Sequence, residues 1–339
     1  MARRRNRWPI LAAVLIVVVL AGSAAALLNR RVPRAGSLAK VTIPSGATLA
    51  EAADSLASAH VVRSAAVFHL VALLAGDGSA VIKTGRYFVT RGASTSAIVA
   101  QLRRGTGRYR RLTIPEGWGI QQIARLLHDS LGLPIDALVA ATRDSIRRAR
   151  MGTRAADVEG YLFPATYDFG DSITAGAAVD TMLLTFDRRW NPSWDSALTR
   201  QGRTRHDVVT LASIVEKEAG RSSERAMIAA VYTNRLRTGA RLQADPTVLY
   251  ALGLVAKRVL FADLKVVSPY NTYRVAGLPP GPIASPGTAS LAAAVAPANS
   301  DAMFFVAFPD GHSQFSKTFA EHKAAVKASR VARDSAATR

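Results

Sequence analysis

The chain contains no cysteine. That excludes disulfide staples, Cys-ligated zinc, iron–sulfur clusters and thiolate nucleophiles, and it leaves the compartment open. Histidine is scarce, six in 339 residues, and none stands at a paired metal-ligand spacing, so no metal is expected. There is no P-loop, no G-x-S-x-G elbow and no dinucleotide fingerprint, so no cofactor is expected. Acid is in short supply: 24 Asp+Glu face 44 Lys+Arg, a formal charge of +20. That composition excludes a disordered acidic protein. The 49% hydrophobic content supplies cores for about two domains at roughly 100–200 residues each.

The positive charge is unevenly placed. Residues 1–34 carry seven Arg and no acid, and residues 317–339 are net +4, which leaves +9 for the body. A nucleic-acid binder concentrates its charge on a folded face, and no helix-turn-helix, zinc-finger or RRM signature occurs, so nucleic acid is not an expected partner. An anionic membrane surface or a polyanionic wall suits the charge better.

Residues 8–28 form an uncharged run, flanked by Arg3, Arg4, Arg5 and Arg7 before it and Arg30, Arg31 and Arg34 after it. At 1.5 Å per residue such a run spans about 30 Å, the thickness of a hydrocarbon core. It exceeds the usual apolar core of a signal peptide. We therefore read residues 1–7 as a basic cytoplasmic tail and 8–28 as a transmembrane anchor that exports the rest of the chain. Ala24-Ala25-Ala26 keeps a cleaved leader open as the alternative.

Two stretches resemble each other 71 positions apart. Val41-Thr42-Ile43-Pro44-Ser45-Gly46 precedes a helical pattern through Leu49, Ala52, Ala53 and Leu56. Leu112-Thr113-Ile114-Pro115-Glu116-Gly117 precedes one through Ile120, Ile123, Ala124 and Leu127. A small α+β module is expected over 38–105. A basic junction around Arg103 to Arg111 follows it, then a larger mixed α+β domain over 110–326 and a basic tail over 327–339. The Arg-rich segment 143–154 reads as solvated. Helices are predicted over about 206–219 and 223–236, the second capped by Ser222 or Ser223. A third starts at Asp245-Pro246, with Asp245 as its N-cap. A Gly/Pro-rich loop over 277–287, a short helix, a hairpin turning at Pro309-Asp310-Gly311 and a final helix complete the chain.

One carboxylate breaks the pattern. On a helical wheel with Leu211 at 0°, Val215 falls at about 40°, Val208 at about 60° and Ile214 at about 300°. Glu218 falls at about 340°, inside that apolar face, whereas Glu216 falls at about 140°, on the side read as solvent. A carboxyl turned inward has its ionised form disfavoured, so it can stay protonated near neutrality and donate a proton. A buried Glu paired with an Arg is the structural alternative. The two acids point too far apart to act as a closely spaced two-carboxylate glycosidase pair. Asn234, Gln243, Asp245 and the run Tyr270-Asn271-Thr272-Tyr273 supply amides, hydroxyls and rings of the kind that line carbohydrate grooves. Each also has a structural reading in caps, loop ties or core.

Several segments in fixed order are similar to one known family. Leu211-Ala212-Ser213-Ile214-Val215-Glu216-Lys217-Glu218, Ser223-Glu224-Arg225, Asn234-Arg235-Leu236, Arg241-Leu242-Gln243-Ala244-Asp245-Pro246-Thr247, Tyr270-Asn271-Thr272-Tyr273 and Gly277-Leu278-Pro279-Pro280-Gly281-Pro282-Ile283 resemble the MltG, or YceG-like, endolytic murein transglycosylases. Glu159-Gly160-Tyr161-Leu162-Phe163-Pro164 and the stretch 312–315 resemble the same pattern. The likeness is dense over 206–322 and looser over 40–165. It implies a LysM-like 38–105 module and a single-pass inner-membrane enzyme with a periplasmic catalytic domain. It implies as substrate the nascent glycan strands of peptidoglycan, cut internally so that strand elongation ends. It implies peptidoglycan synthases as partners and Glu218 as the catalytic residue, with Asn234, Gln243, Asp245, Tyr270, Asn271 and Tyr273 in the substrate groove. Ala219 stands where some relatives carry Thr. Two rival readings are a non-catalytic wall-binding scaffold and a pyridoxal-phosphate lyase. The lyase needs a Schiff-base lysine, and the wheel turns Lys217 away from the apolar side.

Overall fold

The computed structural model describes residues 38–337, apart from 45–46, 63, 75–81, 84, 106–108, 171–172 and 255–258. The predicted anchor at 8–28 and the tail before it lie outside the described residues. Among the described residues no helix is long and apolar enough to cross a membrane. The chain divides into two compact units, residues 1–108 and 109–339. The fold is mixed α+β, with thirteen α-helices and three two-stranded antiparallel sheets among the described residues.

The first unit follows from its periodicity. Strand β1 (Leu38–Ile43) pairs antiparallel with β2 (Gly85–Thr90), Leu38 opposite Thr90 and Ile43 opposite Gly85. Alternation places Ala39, Val41 and Ile43 inward. Helix α1 (Leu49–Ser58) starts in a capping box between Thr48 and Glu51 and buries Ala52, Ala53 and Leu56. Helices α2 (Ala65–Leu74) and α3 (Thr95–Arg104) complete the unit, and Phe68, Ile98, Val99 and Leu102 join its core.

The second unit is built around α9. Strands β3 (Tyr109–Thr113) and β4 (Thr166–Gly170) pair antiparallel. Helix α4 (Ile120–Leu131) buries the four residues its spacing predicts: Ile120, Ile123, Ala124 and Leu127. Helices α5 (Ile135–Thr142), α6 (Ser145–Met151), α7 (Ala175–Arg189) and α8 (Ser193–Gln201) follow. The arginines of α6 are not simply solvated, as their number led us to expect. Arg147 forks onto Asp180 at 2.7 and 2.9 Å, and Arg150 reaches Asp187 at 2.7 Å, pinning α6 to α7. Carboxylates on the neighbouring helix cannot be seen from local sequence.

Helix α9 (Arg205–Glu218) opens with a Thr204–Asp207 capping box, and Val208 through Val215 are all buried. A 3₁₀ turn, Ser222–Glu224, precedes α10 (Arg225–Arg237), so the predicted Ser222/Ser223 cap becomes a turn that delays the helix. Helix α11 (Asp245–Ala251) and α12 (Thr288–Val295) also pack on α9. Strands β5 (Phe304–Ala307) and β6 (Ser313–Ser316) form the expected hairpin, covered by α13 (Phe319–Ala337).

Candidate active site

Helix α9 ends at Glu218 and α11 begins at Asp245. Glu218 keeps some contact with solvent, but protein surrounds its carboxyl closely. Burial is the largest influence on it and pushes its pKa up to about 7. Tyr232 of α10 donates its hydroxyl to Glu218 Oε1 at 2.9 Å, which favours the ionised form and moderates the rise. The charge on Asp245 adds to the rise, and that on Arg235 opposes it. Tyr232 is itself fully buried, its ring edge-on to Phe305 with centroids 5.9 Å apart. Packing therefore fixes the donor that orients the carboxyl.

Arg235 lies deeper. Its Nε donates to Met303 O at 2.7 Å and its Nη1 to Leu242 O at 2.6 Å, and the guanidinium sits 5.1 Å from the centre of the Phe304 ring. Burial lowers its pKa. These bonds tie α10 to the segments that carry the hairpin and Asp245.

Asp245 is not the N-cap expected from Asp-Pro. Ala244 occupies that position, and Asp245 Oδ1 instead accepts the Tyr273 hydroxyl at 2.5 Å. Gln243 is exposed and holds φ +50, a left-handed conformation uncommon outside glycine. Its N–H donates to Thr272 O at 3.1 Å, which locks the turn.

The two asparagines serve the backbone. Asn234 Nδ2 donates to Ser300 O at 2.8 Å and Ala302 O at 3.0 Å. Asn271 Nδ2 donates to Leu264 O and Val266 O, and its Oδ1 accepts from Tyr273 N–H at 3.0 Å. These amides position Tyr273 and the hairpin entry. Tyr270 sits elsewhere, packed on Tyr250 with ring centroids 4.8 Å apart and within the fields of Asp157 and Glu159. Of the seven candidates, the structure brings Glu218, Asp245 and Tyr273 into electrostatic contact, with Gln243 two residues before Asp245 in the chain.

Glu216 corrects the wheel. Its side chain is 6% exposed: Oε1 accepts from Arg225 at 3.1 Å and Oε2 from Gly287 N–H at 3.0 Å. At Glu216 the far face of α9 is covered by the start of α10 and the loop before α12, so the side read as solvent is closed there. Two residues that matter were missed from sequence. Tyr232 lies on another helix, and nothing local links it to Glu218. Glu159 stood only inside a quoted motif, yet it is 5% exposed, accepts from the Ile120 and Gly160 N–H groups, and is pushed up to about 8 by burial.

These groups define the class: an α+β protein whose site turns on one protonatable carboxyl held by a buried tyrosine. The chain belongs to the YceG-like family, whose model matches residues 41–328. A Bacillus subtilis protein named endolytic murein transglycosylase is 34% identical over 300 residues, covering 84% of this chain and 83% of that one. A Streptococcus pneumoniae protein of the same name is 31% identical over 299 residues; the match covers 79% of this chain but 54% of the relative, so the chain spans about half that protein's length. The crystal structure of a yceG-like protein from Listeria monocytogenes superposes with a TM-score of 0.59 at 34% identity, over 85% of this chain and 99% of that one.

Proposed function

We propose that the chain is an endolytic peptidoglycan lytic transglycosylase, with Glu218 as its catalytic acid and base. The observation that carries the reading is one buried carboxyl, raised to about 7 and aligned by Tyr232, in a family whose curated relatives bear that name. Protonated Glu218 donates its proton to the glycosidic oxygen that joins MurNAc C1 to GlcNAc C4. That C–O bond breaks, GlcNAc leaves with a free hydroxyl, and positive charge develops at C1. The C6 hydroxyl oxygen of the same MurNAc bonds to C1, and its proton passes to the Glu218 carboxylate. The enzyme returns to its starting state, and the product ends in 1,6-anhydroMurNAc. No water enters, so no second carboxylate is needed to activate one. The nucleophile is tethered to the reacting carbon, which turns the closure into a unimolecular step.

In this reading the side chains of Gln243, Asp245 and Tyr273 face the substrate groove. Asn234 and Asn271 hold its walls, and Tyr270 belongs to a neighbouring subsite. Mass spectrometry of digested glycan strands tests the reaction. The new ends should be lighter by one water than hydrolysed ends; reducing ends would make the protein a muramidase instead.

The reading extends to the chain's address. The arginine-flanked run at 8–28 supports a single-pass inner-membrane anchor with the catalytic unit in the periplasm, where glycan strands and their synthases are met. The strand–helix–helix–strand order of 38–90, with β1 and β2 antiparallel, supports a LysM-like, wall-binding module. The full chain should stay in the membrane fraction through a carbonate wash, and the exported part should sediment with purified peptidoglycan. Release by carbonate removes the anchor, and a fully soluble exported part in the presence of peptidoglycan removes the wall-binding module.

A further inference from the structure

A cavity of about 540 Å³ opens beside the Glu218 site, within the second unit. That volume lies in the range of ligand pockets. The same two elements that end or begin at Glu218 and Asp245 also wall it, through Lys217 and Pro246.

The wall chemistry selects the occupant. Part of the lining is apolar, with Val139, Leu249 and Leu254 among it. A sugar ring would leave hydroxyls unpaired against those side chains, at a cost in every unmet hydrogen bond. Short alkyl groups would not. Two cations stand in the lining, Arg143 and Lys217. Lys217 Nζ is engaged with Gly117 O at 3.3 Å. The Arg143 guanidinium forms no hydrogen bond or ion pair among the described residues, although the residue ends α5 with its backbone N–H satisfied by Ala140 O. A free guanidinium above an apolar wall matches a ligand that carries carboxylates on a short aliphatic backbone. Of the two acids in the lining, Glu159 has its pKa raised by burial to about 8, so it does not cancel that positive charge near neutrality.

We propose that this cavity binds the acidic peptide stem carried by MurNAc, with Arg143 reading a stem carboxylate. The proposal deepens the glycan-cleaving reading and rests on it. Peptide-bearing strands then gain affinity that bare strands lack, and Arg143 acts in substrate selection without touching the reacting atoms.

The test uses the full chain and two substrates: uncrosslinked glycan strands bearing their peptide stems, and the same strands stripped of peptide by an amidase. Wild-type protein should show the higher kcat/KM on stemmed strands. Arg143→Ala should lower kcat/KM on stemmed strands by roughly tenfold, the size of one lost charge-assisted hydrogen bond. It should leave stripped strands unchanged. Arg143→Lys, which keeps the charge, should recover part of the loss. Equal wild-type efficiency on both substrates overturns the stem site while leaving the glycan-cleaving reading intact, and so does an Arg143→Ala effect that is absent or equal on both. Cleavage of neither substrate by wild type overturns the parent reading and the stem site together.

Discussion

Glu218→Gln should lower glycan cleavage by about 10²–10⁴-fold, the range general acid–base catalysis spans, while the fold is retained. The amide has the carboxyl's shape and can still accept from the Tyr232 hydroxyl, which lies 2.9 Å from Glu218 Oε1. What it loses is the proton that must reach the leaving oxygen and the base that must take the proton from the C6 hydroxyl. Stability should move the other way. Folding raises the Glu218 pKa from 4.5 to about 7. The folded state then holds its proton where the unfolded chain has released it, so this residue costs stability as pH rises through that interval. Glutamine removes the cost. The variant should melt at a higher temperature than wild type at pH 8 and at nearly the same temperature at pH 4. A variant that keeps its activity would take Glu218 out of the mechanism.

The same linkage gives a companion measurement. With a catalytic acid near pH 7, kcat/KM should fall as pH rises past that value. Tyr232→Phe removes the hydrogen bond that lowers the Glu218 pKa, so the falling limb should move to higher pH. A limb that stays in place would separate Tyr232 from the proton transfer.

The second large effect concerns stability. Arg225→Ala should lower unfolding stability by about 3 kcal/mol, as expected when one partner of a buried ion pair is removed. The Arg225 side chain is 15% exposed and that of Glu216 is 6% exposed. Arg225 Nε also donates to Ser290 Oγ at 2.9 Å, so the residue ties α9, α10 and α12 together. Glu116 approaches the same guanidinium at 3.9 Å, and its pKa is raised by burial and then by the Glu216 charge, against the opposing effect of Arg225. Without Arg225, two acids face each other with no cation between them. Denaturant midpoints at constant slope measure the loss. The double variant Arg225→Met, Glu216→Gln should recover part of it, because the stranded charge goes as well. No recovery would mean that the arginine's packing, not its charge, is what the site needs.

Glu218 was legible because four apolar residues, Val208, Leu211, Ile214 and Val215, define a face and the acid falls among them. Glu216 was misread by the same tool. A wheel assumes one buried face and one wet one, whereas α9 is buried all round from Val208 to Val215. Thr210 and Ser213 on its polar-looking side are buried with their hydroxyls bonded to the carbonyls of His206 and Thr210. Asp245 was misread because an aspartate before proline has the same local signature whether or not it caps a helix. Its partner Tyr273 lies 28 residues away. The asparagines looked like groove residues because an amide that binds a sugar and one that binds a carbonyl are the same residue type.

The sequence by itself determined the local structure: the alternating strands of the first unit, the four-residue core face of α4, the hairpin turn, and one acid on an apolar face. Each follows from spacing within a few residues, where backbone geometry decides which side chains share a face. Tertiary structure alone decided what that acid does. Burial by several elements raised its pKa, a tyrosine from α10 aligned it, and a ring from a distant turn engaged the neighbouring aspartate. These are long-range contacts, and desolvation depends on everything that surrounds a group, so no local pattern encodes them.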